Sequence, residues 1–196
     1  MSISSSSALS SKRKRAFTLI ELAIVIGVIS VLSGVLFGYG KGIERRLDLL
    51  NMEARVINLI LHAKSLAQSF EFTPQAGQII CGYGVHIDKD EQEIFIFQDT
   101  TDEEEDPDCA LIGVGEYSSG DVRLEGEREN ISFINSILQI YDGTTAEDIV
   151  FFPPEPTTLI NNRTGTTSAS VIVHLTTDTT NQFEVVINHF GQVTTR

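Results

Sequence analysis

Between Phe17 and Gly40 the chain is almost without charge: Glu21 and the phenol of Tyr39 are its only ionisable side chains. No proline interrupts residues 17–73, so nothing in that stretch forbids a continuous helix. Basic residues are scarce, 14 against 27 acidic. Four of the 14, Lys12, Arg13, Lys14 and Arg15, lie in residues 1–16, which hold no acid. The other 10 stand against all 27 acids, a net charge of −17 over residues 17–196. Such a body repels polyanions at long range, so no direct binding of nucleic acid is expected. There are two cysteines, enough for one disulfide, which needs an oxidising compartment. No H-x-x-x-H, C-x-x-C, G-x-S-x-G, Walker or G-x-G-x-x-G pattern occurs, and His62, His86, His174 and His189 are scattered. A zinc site and an enzymatic reading therefore have no constellation behind them.

What is present is a basic leader followed by an oily run. Residues 17–40 are 24 in number, and about 20 helical residues cross a hydrocarbon core of ~30 Å. The basic flank is N-terminal, which keeps residues 1–16 in the cytoplasm and sends the C-terminal body out. A lone carboxylate in such a span costs roughly 2.5–3.5 kcal/mol on insertion scales and marks a functional position. A plain signal anchor leaves Glu21 unexplained, because the span holds no cation to pair with it. A cut between Ala16 and Phe17 would supply one: the new α-amino group would lie one helical turn from Glu21. That amine, or the amine of a neighbouring subunit, would satisfy the carboxylate, and the second pairing would set the axial register of helices packed side by side.

"KRKRAFTLIEL" (residues 12–22) resembles the class III leader of type IV prepilins and pseudopilins. The resemblance implies that a prepilin peptidase cuts after Ala16 and N-methylates Phe17, and that Glu21 draws the subunit into a growing filament. It further implies a bacterial inner-membrane location with the head extracytoplasmic. The implied partners are other pilin or pseudopilin subunits, the inner-membrane assembly platform and membrane lipid. The usual residue before the cut is Gly, and here it is Ala16, the next smallest side chain. The mid-helix proline common in major pilins is missing; Gly27, Gly34, Gly38, Gly40 and Gly42 stand along the helix instead. They fit either close helix packing or a segment able to stretch.

Beyond residue 40 the pattern becomes amphipathic. Ile43, Leu47, Leu50, Ala54, Ile57 and Leu61 recur at helical spacing, and a second row, Val56, Ile60, Ala63, Ala67 and Phe70, widens the stripe. One helix of about 55 residues, roughly 80–85 Å long, is expected, closed by "TPQAG" at 73–77. Residues 74–196 then read as strands at 79–87, 93–99, 121–126, 131–140, 148–154, 169–177, 183–189 and 191–195, with a short helix as the other reading of 133–140. "NHFGQV" suits a tight hairpin between the last two. The expected fold is α+β: a long N-terminal helix, then a mainly antiparallel β head of two packed sheets, similar to pilins. The expected parts are a leader (1–16), an assembly helix (17–40), its amphipathic continuation (41–73) and the head (74–196). The order of the last strands also resembles GspH/FimT-like minor subunits.

Two features of the head carry site expectations. A Cys81–Cys109 bridge would enclose 27 residues and contribute roughly 3–3.5 kcal/mol, against a reading with two free thiols. Eleven of the 21 residues 88–108 are Asp or Glu. Oxygen-rich loops hold Ca²⁺, and Asp99, Asp102, Asp106 and Asp108 are the candidates. The EF-hand glycine and the D-x-D-x-D-G pattern are missing, so a solvated acidic loop is the stronger reading and no metal is required. The first functional expectation is a filament subunit. The alternative is a membrane-anchored β-domain that uses the acidic loop for calcium or a cationic partner and never polymerises.

Overall fold

The computed structural model describes residues 18–69, 78–102, 109, 115–126, 128–134, 136–153, 157–161 and 167–196; the side chains of 36–42, 78, 102 and 157 are not among what it describes. The long helix is present as α1, Leu19–Ser69, 51 residues. Its expected closing segment at 73–77 lies outside the described residues. The chain divides into two compact units, residues 1–45 and 46–196.

In the first unit, the described residues are the early turns of α1. Their apolar side chains have no cover: Leu19 is 86% exposed, Ile20 70% and Val31 69%. Among the described residues no helix is long and apolar enough to cross a membrane. The span expected over 17–40 extends beyond those residues, since Phe17 and the side chains of 36–42 fall outside them.

The second unit contains the rest of α1 and ten described strands: β1 Gln78–Asp88, β2 Glu93–Asp102, β3 Val122–Arg123, β4 Asn130–Ser132, β5 Leu138–Ile140, β6 Asp148–Phe152, β7 Thr157–Ile160, β8 Ser168–Leu175, β9 Asp178–Asn188 and β10 Val193–Thr195. They form two sheets, all of whose described pairings are antiparallel. One runs β3-β2-β1-β6-β7, with β4 also on β2; the other runs β10-β9-β8-β5. The fold is α+β with a mainly antiparallel head. The expected segment 131–140 is two short strands separated by a turn, and 133–140 is not a helix. Strand β7, "TTLI", was not expected; it is a four-residue strand at the end of its sheet, too short to announce a period. Val193 pairs with Ile187 across the final hairpin, where Gly191 takes φ +65°.

Only part of the expected wide stripe of α1 meets the sheets. The buried residues are Leu49, Val56, Leu59, Ile60, Ala63 and Ala67, while Ile43, Leu47, Leu50 and Leu61 are about half exposed and Ala54 is exposed. Within the widened stripe, Val56, Ile60, Ala63 and Ala67 are thus in the core, joined by Leu49 and Leu59, with Ile57 packed against it; Phe70 lies outside the described residues. Both rows have spacings of three and four, and periodicity cannot say which is matched by a sheet. The buried row joins Tyr83, Val85 and Ile87 of β1, and Val185 and Ile187 of β9, in one cluster.

Alternation sends the other residues of β1 and β2 to the opposite face of their sheet. There Phe95, Phe97 and Val150 form a second cluster, with Tyr117 packed against it. Gly84 lies under this layer: a Cβ there would sit 2.5 Å from ring carbons of Phe97. The close ring contact therefore requires glycine.

Candidate functional site

The helix start comes first. Thr18 accepts from the Leu22 N–H through its carbonyl at 3.2 Å, and its Oγ1 accepts from the Glu21 N–H at 3.3 Å. Thr18 is therefore the N-cap and Glu21 the third helical residue, the positions of a T-x-x-E capping box. A carboxylate in this first turn also faces the positive end of the helix dipole. Glu21 thus has a structural use that the sequence reading missed, although the Thr–Leu–Ile–Glu spacing signalled it. Its exposed carboxylate has no partner among the described residues. Lys12, Arg13, Lys14, Arg15, Ala16 and Phe17 lie outside them, so the proposed amine is not part of this geometry.

Cys81 and Cys109 are joined in a disulfide, Cα to Cα 5.6 Å, 28 positions apart. Cys81 stands at the irregularity of β1 between Ile80 and Gly82, opposite Asp99 and Thr100 of β2. The bridge ties this end of the sheet to the segment after the acidic run. Replacing both cysteines by Ser is expected to lower head stability by about 3 kcal/mol. Denaturant midpoints of the two proteins, followed by the near-UV signal of Tyr83, Tyr117 and Tyr141, measure the difference.

Asp99, the first Ca²⁺ candidate, is 1% exposed and accepts from the Gly115 N–H at 2.6 Å. Burial pushes its carboxyl up to about 7, against the lowering effect of that bond; Asp121 and Asp148 add to the rise. Asp99 is thus engaged with the backbone of the layer over the sheet, not with an open oxygen cage. Asp106, Asp108 and the side chain of Asp102 lie outside the described residues. Among the described residues no group of three or more His, Cys, Asp or Glu is placed to hold a metal. Asp121 fastens the same layer, accepting from Thr100 N–H and Ser118 N–H at 2.7 Å each. Burial raises its pKa, opposed by these bonds.

The structure brings together residues that the sequence did not. His86 and Asp148, opposite each other on β1 and β6, are 2.8 Å apart from Nδ1 to Oδ1. The His86 ring lies 4.8 Å from Tyr117 and 5.2 Å from Phe95. Arg123 makes a two-pronged contact with Glu93, at 2.6 and 2.8 Å, and lies 4.1 Å over the Phe95 ring. These are cross-strand juxtapositions set by register, for which a linear sequence has no signal. They lock the outer layer onto the sheet.

The described N-terminal turns of α1 combine a capped helix start, a lone acid in the first turn and an exposed apolar surface behind it. Residues 11–37 match the family described as the prokaryotic N-terminal methylation motif. The chain bears the signature of type IV prepilins and pseudopilins. The prepilin-type signature covers 27 of 196 residues and supports a processed, pilin-like subunit. Its family is structural rather than enzymatic. Neither a curated protein nor a solved structure matches the chain.

Proposed function

We propose that the chain is a structural subunit, a minor pilin or pseudopilin of a type IV pilus-like or type II secretion-like filament, with a GspH/FimT-like head as the finer assignment. Prepilin peptidase cuts between Ala16 and Phe17 and methylates the new Phe17 amine. Before assembly the subunit sits in the bacterial inner membrane with its head outside, and the inner-membrane platform feeds it into the filament. Glu21 meets the Phe17 amine of a neighbour and sets the register. Sister helices then cover the apolar surface that lipid covered before.

The observation that carries this reading is the uncovered apolar surface of α1 from Leu19 to Val35 directly behind a single first-turn acid. At about 25 cal/mol per Å² of apolar surface removed from water, so large an uncovered area demands lipid or sister helices. Leu47, Leu50 and Leu61, about half exposed on the helix opposite its core row, extend the same demand into the second unit.

The test is the mass of the N-terminal peptide of the protein isolated from cells. A methylated Phe17 at the new N-terminus is the expected result. A chain that keeps residues 1–16 while the surrounding secretion or pilus machinery works normally would reject the proposal.

A further inference from the structure

The edge of a sheet carries backbone groups that another strand can pair with, and folded chains close or guard such edges. The sheet β10-β9-β8-β5 treats its two edges differently. On β5, the Tyr141 N–H donates to the Ile172 carbonyl at 2.8 Å, and the Ile137 carbonyl accepts from the Thr176 N–H at 2.9 Å, both in the direction of β8. Alternation therefore turns the backbone groups of Leu138 and Ile140 away from the sheet. Side chains seal them. Ser136 Oγ accepts from the Leu138 N–H at 2.8 Å and donates to the Leu138 carbonyl at 3.1 Å. Gln92 Oε1 accepts from the Ile140 N–H at 2.8 Å, and its Nε2 donates to the Ile140 carbonyl at 3.3 Å. Gln92 does this at φ +54°, a conformation that residues other than glycine rarely adopt.

The opposite edge, β10, has no such seal. Glu184 and Arg196 exchange both backbone hydrogen bonds, at 3.2 and 3.0 Å, and the Asn188 N–H reaches the Gln192 carbonyl at 3.1 Å. Val186 and Thr194 pair between them in the same phase. The N–H and C=O groups of Val193 and Thr195 therefore point out of the sheet. None of these groups has a hydrogen-bond partner among the described residues. Thr194 and Thr195 are exposed, and Val193 is half-buried. The usual guards are missing from the strand: it holds no proline, no lysine and no bulge, and no charge stands at 193–195. All of its residues are β-branched, the type that pairs well on a pleated surface. Residues 185–196 also hold no acid, in a chain with 27 of them. Two such edges can meet without opposing carboxylates.

We propose that the open edge of β10 docks the β10 strand of a second copy of the chain, antiparallel about a two-fold axis at Thr194. The strand is its own complement in that register. Val193 of one copy and Thr195 of the other exchange the backbone bonds that each lacks alone. Thr194 faces Thr194 at a non-hydrogen-bonded position, and Gln192 faces Arg196, so no like charges are opposed. The two sheets become one continuous sheet across the axis. Such an isologous contact closes on itself and does not propagate along a filament. It belongs to subunits that have not entered one, and the inference does not rest on the filament reading.

The test is cross-linking and sedimentation of the full chain in detergent micelles. Residues facing each other at a non-hydrogen-bonded position have Cα atoms ~4.5 Å apart, within reach of a disulfide. Cys81 and Cys109 are already paired, so an added thiol is the only free one. Under mild oxidation Thr194→Cys is expected to give covalent dimer at least about tenfold faster than Gln192→Cys, whose two copies lie ~13 Å apart along the strands. Thr195→Pro removes an outward N–H and leaves the ladder to β9 intact; Thr195→Lys keeps the N–H and adds an edge guard. Each is expected to shift the sedimenting species towards monomer and to remove the Thr194→Cys cross-link when combined with it. Near-UV dichroism verifies that each variant is folded. Equal cross-linking at 194 and 192 overturns the register. Self-association that ignores both Thr195 variants overturns the edge as the contact. A parent chain that sediments only as monomer overturns the second copy as occupant. An unprocessed N-terminus sinks the filament reading and leaves these measurements standing.

Discussion

Glu21→Gln is expected to leave leader removal intact and to cut incorporation into filaments at least about tenfold, the effect of losing roughly 1.4 kcal/mol. The expectation follows from charge in a poor solvent. An amine and a carboxylate attract far more strongly in an apolar surround than in water, and a carboxylate left without its cation there is costly. A neutral glutamine loses the pairing. It keeps the third helical position of the capping box, where Gln serves as Glu does. The helix start is then preserved and the charge alone is tested.

Thr18→Ala makes the reverse change. It removes the hydroxyl that accepts from the Glu21 N–H, costs about 1 kcal/mol at the helix end, and leaves the charge in place. Incorporation should survive it. Cleaved subunit in membrane and sheared-filament fractions gives both quantities. If Thr18→Ala fails as badly as Glu21→Gln, Glu21 acts through the cap and the register pairing is lost as an explanation.

The second large effect concerns the head and pH. The Asp99 carboxyl is raised from 3.8 to about 7 by burial. Because the folded-state value is the higher one, folding favours the protonated form. The contribution of this group to stability is complete below about pH 4, is lost as pH rises towards 7, and is gone above it. A gap of about three pH units corresponds to at most about 4 kcal/mol. Asp99→Asn keeps an acceptor for the Gly115 N–H and removes the charge, together with its repulsion of Asp121 and Asp148. The two proteins should be equally stable near pH 4, and the variant should gain by a few kcal/mol by pH 8. Denaturant midpoints at pH 4, 6 and 8 measure this. Parallel pH profiles would show that Asp99 is ionised in the folded head without cost.

The sequence by itself determined the elements whose signals are local. An uninterrupted apolar run behind four basic residues specified the helix and the place of Glu21, and alternation with turn residues specified most strands. These depend on neighbours one, two or four positions apart, where steric and hydrogen-bonding rules act directly. Tertiary structure decided what depends on residues distant in the chain. It chose Leu49, Val56, Leu59 and Ala63 over Leu47, Leu50 and Leu61 as the buried row, because only contact with the sheets distinguishes two rows of equal period. It made Asp99 a buried backbone anchor, where the acidic run had suggested an open loop. It placed His86 on Asp148 and Arg123 on Glu93 through strand register, which no linear spacing encodes.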